Sequence, residues 1–154
     1  MNPIDGVVFK ELVTYSDDRG YFRELIRSSD GFFDEGFGQW SHSLMFNGVI
    51  KAWHLHQIQI DWWYVVTGVL RVGLCDMREN SPTYKQTMDF FMGDLQTARI
   101  VRIPTGVAHG CKAVQGPVNL FYITSSEYNV NDELRIPYDD PGIEFDWLKG
   151  PPIR

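Results

Sequence analysis

In "VIKAWHLHQIQI", at residues 49–60, polar and apolar side chains alternate over most of the stretch, and this period of two is typical of a β-strand. Similar runs follow as "WWYVVTGVLRVGLCDM" at 62–77, "ARIVRIP" at 98–104 and "VNLFYITS" at 118–125. They are rich in Val, Ile, Tyr and Trp, and turn-forming residues separate them. Short strands spaced in this way predict an all-β protein, built as an antiparallel sandwich or barrel.

The connections between these runs carry turn signals. Thr67-Gly68 predicts a hairpin turn inside the second run, residues 80–83 predict a loop, and Pro104-Thr105-Gly106 predicts a tight corner. The segment at 22–33, "FRELIRSSDGFF", predicts one or two turns of helix ending near Gly31. The proline-rich tail at 137–154 is expected to be extended and to lie over the body, and the segment at 127–141 to form a solvated acidic surface.

Length and charge limit the classes of partner. A chain of 154 residues fits a single domain, residues 1–154. The excess of 20 acidic over 14 basic residues repels polyanions, so nucleic acid is not expected as a partner. No apolar run is long enough for a signal peptide or a membrane span, which predicts a cytoplasmic protein without membrane contact. Cys75 and Cys111 are expected to be buried free thiols in a reducing compartment.

Two of the four histidines lie on the opening stretch. His54 and His56 point to the same face of a strand because side chains repeat every two positions. Asp61 follows at the strand end and approaches them only if a bend intervenes. His109 comes just after the Pro-Thr-Gly corner in "IPTGVAHG" and can fold back beside the first strand. The prediction is that three imidazoles converge in one cavity.

The spacing of these residues resembles two motifs of the cupin superfamily, whose fold is a jelly-roll barrel. The first motif is matched by Gly48, His54, His56, Asp61 and Gly68, and the second by "PTGVAH" at 104–109. Over a longer span the chain resembles the dTDP-4-dehydrorhamnose 3,5-epimerase family, metal-free cupins that act on nucleotide-linked 4-keto-6-deoxy sugars. The matching segments are "DDRGYFRE" at 17–24, Gln39 with "SHS" at 41–43, "GVIKAWHLH" at 48–56, "CDMRENSPTY" at 75–84, "RIPTGVAHG" at 102–110, "FYITSSEY" at 121–128 and "DDPGIEFDW" at 139–147.

The resemblance implies a role for each matching position. His54 corresponds to the catalytic base and Tyr122 to the acid that protonates the opposite face. The expected substrate is a nucleotide-diphosphate sugar, and the expected assembly is a homodimer that exchanges its N-terminal strands, about residues 1–30. The positions expected to bind substrate are Arg19, Phe22 and Glu24 from the neighbouring subunit, Gln39 and Lys51 at the nucleotide and diphosphate, and His56, His109 and Tyr128 around the sugar.

Besides Lys51, which stands where the family normally has Arg, the chain departs from the family pattern at three points. Asp61 stands where the family keeps a Lys beside the ketone oxygen, His56 replaces a Gln, and the C-terminal acid that partners the base has no counterpart. The Asp61 carboxylate is therefore expected to orient the His54 imidazole and to raise its basicity, which makes Asp61 a third catalytic residue.

The predicted function is that of an epimerase without a cofactor, in which His56 or His109 replaces the missing Lys. Two other functions remain open. The first alternative is a metal enzyme with a divalent ion held by His54, His56, Asp61 and His109. The second is a non-catalytic sugar-binding cupin.

Overall fold

Ten β-strands account for nearly all regular structure in residues 3–94 and 96–150, the part of the chain that the computed structural model describes. In chain order they are β1 (Val8–Glu11), β2 (Thr14–Asp17), β3 (Gly20–Arg23), β4 (Gln39–Met45), β5 (Ile50–Leu55), β6 (Asp61–Asp76), β7 (Thr87–Gly93), β8 (Arg99–Ile103), β9 (Val107–Thr124) and β10 (Leu134–Arg135).

The two long strands β6 and β9 pair antiparallel over almost their whole length. The first part of β6 also pairs with β8, and β8 pairs with β1, while the second half of β9 pairs with β4. The second half of β6 pairs with β7, and the first half of β9 pairs with β5, which in turn pairs with β10. The bent β6–β9 ribbon thus joins two five-stranded halves, and the jelly-roll prediction is confirmed.

The bend of the ribbon explains why Thr67-Gly68 is not a hairpin turn. The β6–β9 register shifts repeatedly between Val65 and Leu70, and Gly68 has a φ of +81°. A Cβ at Gly68 would lie 2.7 Å from the carbonyl oxygen of Gln115, so only glycine fits this close approach. The glycine therefore forms a bulge inside one continuous strand, and the predicted turn is wrong.

The predicted helix at 22–33 is also wrong. Its first two residues belong to β3, and only a 3-10 turn, Gly31–Phe33, follows. The Asp30 carboxylate accepts hydrogen bonds from the Arg27 amide and the Lys10 ammonium group, which favours a turn over a helix. Within the described ranges, no helix has both the length and the apolar character needed to cross a bilayer.

The C-terminal segment covers the outer face of the half that contains β5. It runs through successive turns rather than one extended stretch, and residues 151–154 lie outside the described part. Ile143 and Trp147 are 5% and 2% exposed and pack with Trp53 into a second core. A Cβ at Gly73 would lie 2.8 Å from the Trp147 ring, so a glycine makes room for the indole. This packing holds the outer side of the strand whose inner side carries His54.

We expect Trp147→Ala to lower the free energy of unfolding by about 3–5 kcal/mol, because it leaves a cavity over Trp53. Urea denaturation followed by circular dichroism measures the change. Leu148→Ala is the matched control, since Leu148 is the next residue in the chain and its side chain is 74% exposed. Equal stabilities of the two variants would contradict the second core.

Candidate functional site

A cavity of about 550 Å³ opens between the two halves of the barrel. Strands β4, β5, β6 and β9 form its walls, and the segment around β10 forms part of its rim. It is lined by eight of the predicted site residues: Gln39, Lys51, His54, His56, Asp61, His109, Tyr122 and Tyr128.

The antiparallel pairing of β5 with β9 brings the imidazoles together. His54 is the register partner of His109, and their rings stack with centroids 6.2 Å apart. His56 lies just beyond the end of β5, and its ring centroid is 5.3 Å from that of His109. Tyr122 lies further along β9, as the register partner of Trp63, whose side chain also lines the cavity. Side chains from two segments that are distant in the sequence, the β5 region and β9, therefore share one interior surface.

Glu133, not Asp61, is the carboxylate partner of His54. Glu133 immediately precedes β10, and the pairing of Arg135 with His54 places the glutamate beside the imidazole. The His54 Nδ1–H donates to Glu133 Oε1 at 3.1 Å, which leaves Nε2 as the ring atom with a free lone pair. Asp61 accepts instead from Gln59 and Trp63. The expectation that Asp61 orients His54 is corrected by this geometry.

The environment of His54 suits a proton acceptor. Burial lowers the pKa of His54 below its ordinary value, and the Glu133 carboxylate opposes this effect only in part. The imidazole is therefore neutral at neutral pH. Burial raises the pKa of Glu133, but hydrogen bonds from Tyr128 and Arg135 outweigh burial and keep the pKa low. The pair is a neutral base beside a fixed negative charge.

The acidic segment at 127–141 is not a solvated surface throughout. Asp132 is 6% exposed, and its carboxylate accepts the backbone N–H groups of residues 57, 58 and 59 at 2.9–3.0 Å. These bonds fix the loop that joins β5 to β6 and thereby hold His56 and Asp61 in place. Sequence reasoning missed Asp132 and Glu133 because the neighbouring strand β10 has only two residues and shows no periodicity.

The deepest part of the cavity contains His56, Asp61 and His109, which are 9%, 4% and 4% exposed. His56 Nδ1 and His109 Nδ1 each lie within hydrogen-bond distance of a backbone carbonyl, at 3.0 and 3.1 Å. Burial lowers the pKa of His109, although Asp61 opposes the shift, so this ring is neutral at neutral pH. Its Nε2 is 3.9 Å from Asp61 Oδ2.

The outer part of the cavity carries polar groups suited to a larger ligand. Lys51 Nζ donates to the Ser43 hydroxyl group at 2.9 Å, and Gln39 accepts the Tyr128 backbone N–H at 3.0 Å. A lysine ammonium attracts phosphate but lacks the bidentate geometry of a guanidinium group. These residues place one positive charge and several hydrogen-bonding groups along the wall of the cavity.

Three predicted residues do not line this cavity. Arg19 and Phe22 belong to the separate β2–β3 hairpin, and they line a shallower cavity of about 410 Å³ formed by that hairpin alone. Arg19 pairs with Asp17, and Glu24 pairs with Arg27. Within the described chain, these three positions are therefore apart from the imidazoles.

Comparison with known proteins agrees with the resemblance found in the sequence. The family model for dTDP-4-dehydrorhamnose 3,5-epimerase matches residues 1–153. The spore coat polysaccharide biosynthesis protein SpsL of Bacillus subtilis is 44% identical over 147 residues, covering 94% of this chain and 96% of that protein.

Two solved structures share the fold over nearly the whole chain. The dTDP sugar isomerase of Desulfovibrio desulfuricans G20 has a TM-score of 0.89 at 27% identity, covering 96% of this chain and 94% of the other. The dTDP-6-deoxy-D-glucose-3,5-epimerase of Legionella pneumophila, in complex with dTDP-4-keto-L-rhamnose, has a TM-score of 0.86 at 27% identity. In that match, coverage is 99% of this chain and 84% of the other.

Proposed function

Because the chain belongs to the dTDP-4-dehydrorhamnose 3,5-epimerase family, we propose that it epimerises a dTDP-linked 4-keto-6-deoxy sugar next to the ketone. One observation carries this proposal. A neutral imidazole, His54, is held through Nδ1 by the half-buried carboxylate of Glu133, and it shares the cavity with the phenol of Tyr122. A base and an acid in one cavity are what inversion beside a carbonyl requires.

The reaction uses the two groups in turn. His54 Nε2 takes the proton from the carbon beside the ketone, and the electron pair of the broken C–H bond becomes the enolate. The Tyr122 hydroxyl then gives its proton to the opposite face of that carbon, which inverts the centre. The phenolate recovers a proton from solvent, and the imidazolium loses one. Glu133 stabilises the imidazolium formed in the first step, because a nearby negative charge favours the protonated ring.

The nucleotide and diphosphate lie along the outer wall of the cavity in this proposal. Lys51 supplies positive charge to the diphosphate, Gln39 supplies a hydrogen-bonding amide, and Tyr128 borders the sugar. The ligand in the Legionella pneumophila structure supports this class of substrate, since it is a dTDP-linked keto sugar.

We also propose that the β2–β3 hairpin completes the nucleotide site of a second subunit. Its aromatic side chains are unusually open, with Tyr15, Tyr21 and Phe22 at 60%, 59% and 61% exposure. An exposed aromatic group of this kind is typical of an interaction surface. In a homodimer the hairpin would bring Arg19, Phe22 and Glu24 of one subunit to the cavity of the other.

Incubation with a dTDP-linked 4-keto-6-deoxyglucose, followed by proton NMR, tests the proposed function. New signals from the epimer are expected, together with a thermal shift on adding dTDP that exceeds the shift with GDP. An unchanged sugar in the presence of the protein, with no stabilisation by dTDP, would contradict the proposal.

The role of Glu133 is testable through pH dependence. The carboxylate raises the pKa of His54 against the effect of burial, so Glu133→Gln should lower that pKa further. The acid limb of the kcat/KM profile should therefore move to lower pH. We expect kcat to fall about 100-fold, which is part of the 10²–10⁴-fold that a positioned base contributes.

Glu127→Gln is the matched control, since this glutamate is exposed in the same segment. A Glu133→Gln profile with an unmoved acid limb would show that the carboxylate does not act through His54.

A further inference from the structure

We propose that His56, Asp61 and His109, here called the inner triad, bind one divalent first-row transition-metal ion. One potential ligand atom from each residue lies within 4.8 Å of the other two. The triad contains two imidazoles and one carboxylate, which are common ligands of zinc and of other ions of this class. His54 does not belong to it, so the four-residue set of the metal alternative is reduced to three.

The hydrogen bonds of both imidazoles orient them as metal ligands. Each donates its Nδ1–H to a backbone carbonyl, His56 to Asp132 at 3.0 Å and His109 to Val107 at 3.1 Å. In a neutral ring this leaves the Nε2 lone pair unprotonated. Metal-binding histidines are held in the same way, by an acceptor on the ring nitrogen that does not bind the metal.

The potential ligand atoms of the triad lie close to one another. The Gln59 side-chain nitrogen lies 3.3 Å from His56 Nε2 and 2.7 Å from Asp61 Oδ1. His109 Nε2 faces the other oxygen of Asp61 at 3.9 Å. Bonds of about 2.1 Å to zinc place ligand atoms about 3.4 Å apart, so the widest pair must close by at most about 1.4 Å. Side-chain rotation, with displacement of the Gln59 amide, supplies that movement.

A cation bound by the triad would offset the repulsion between the enolate and the Asp61 carboxylate. This role rests on the proposed function. The enolate is negative, and the Asp61 carboxylate would repel it. Within the described residues, the side-chain groups that donate hydrogen bonds to the Asp61 carboxylate are the uncharged groups of Gln59 and Trp63. A divalent ion with one carboxylate ligand carries a net charge of about +1, and it would stabilise the enolate oxygen.

Binding of Co²⁺ to the full chain, freed of metal with a chelator and without substrate, tests the site. We expect one equivalent to bind and to give visible d–d absorption. His56→Gln and Asp61→Asn should each weaken Co²⁺ binding by about 100-fold or more, beyond the 10- to 100-fold cost of outer-shell changes. His42→Gln is the control, since this exposed histidine contacts Asn119 instead. A wild-type protein without this absorption, or variants that bind as well as wild type, would overturn the proposal.

Measurements of dTDP binding and of turnover, with and without metal, test the role of the ion separately from the proposed function. Chelator-treated protein should still bind dTDP, while its turnover should fall at least tenfold and recover on adding Zn²⁺ or Co²⁺. Unchanged turnover without metal would overturn the role at the enolate. A protein that binds Co²⁺ but neither binds dTDP nor turns over the sugar would leave the metal site standing and overturn the proposed function.

Discussion

His54→Ala should lower kcat by about 10³- to 10⁴-fold, at the upper end of what a positioned general base contributes. Burial keeps the His54 imidazole neutral, and Glu133 holds its Nδ1. Removal of this imidazole therefore leaves no base of equal basicity at its position. The dissociation constant for dTDP should change less than threefold, because binding of the nucleotide does not depend on proton transfer. Steady-state kinetics and titration calorimetry measure the two quantities.

The matched control for this change is His42→Ala. His42 lies on β4, contacts Phe121 and Asn119, and is exposed. Its loss should leave kcat within twofold of wild type. If His54→Ala kept more than a tenth of wild-type turnover, another group would have to be the base.

Tyr122→Phe should separate proton exchange from inversion. Without the hydroxyl group, the enolate formed by His54 can regain a proton only from the face that lost it. Epimerisation should therefore fall by about 10²- to 10³-fold, which lies within the 10²–10⁴-fold that general acid–base catalysis typically contributes. Exchange of the sugar proton with solvent deuterium should continue at a rate closer to that of wild type. NMR in deuterated buffer follows both processes in one sample.

Tyr138→Phe serves as the comparison, because this tyrosine is 51% exposed in the C-terminal segment. Parallel loss of exchange and inversion in Tyr122→Phe would mean that the phenol acts in the first proton transfer, which contradicts its assignment as the acid.

The period-two pattern of the sequence predicts most of the long strands of the fold. It predicts an all-β sandwich or barrel, and the resemblance to the cupins specifies the jelly roll. The pattern also places His54 and His56 on one face, and the structure shows both imidazoles lining one cavity. The pattern does not predict the places where an irregular backbone conformation determines the path of the chain. The pair Thr67-Gly68 predicts a hairpin turn, whereas in the structure Gly68 allows a bulge in a strand of 16 residues.

The carboxylates around the site were assigned less well. Asp61 is close in sequence to His54, but the loop held by Asp132 directs it to the inner triad instead. Glu133 is 79 residues from His54, and only the two-residue strand β10 brings it there. Such a long-range contact depends on tertiary pairing, which a local pattern does not encode.

Solvent-deuterium incorporation by wild type and His54→Ala tests the central claim most directly, that a proton next to the ketone is removed by His54. With a dTDP-linked 4-keto-6-deoxy sugar in deuterated buffer, wild type should place deuterium on at least one carbon beside the carbonyl. His54→Ala should give no more than the protein-free sample. Equal incorporation by the two proteins, or none by wild type, would contradict the account.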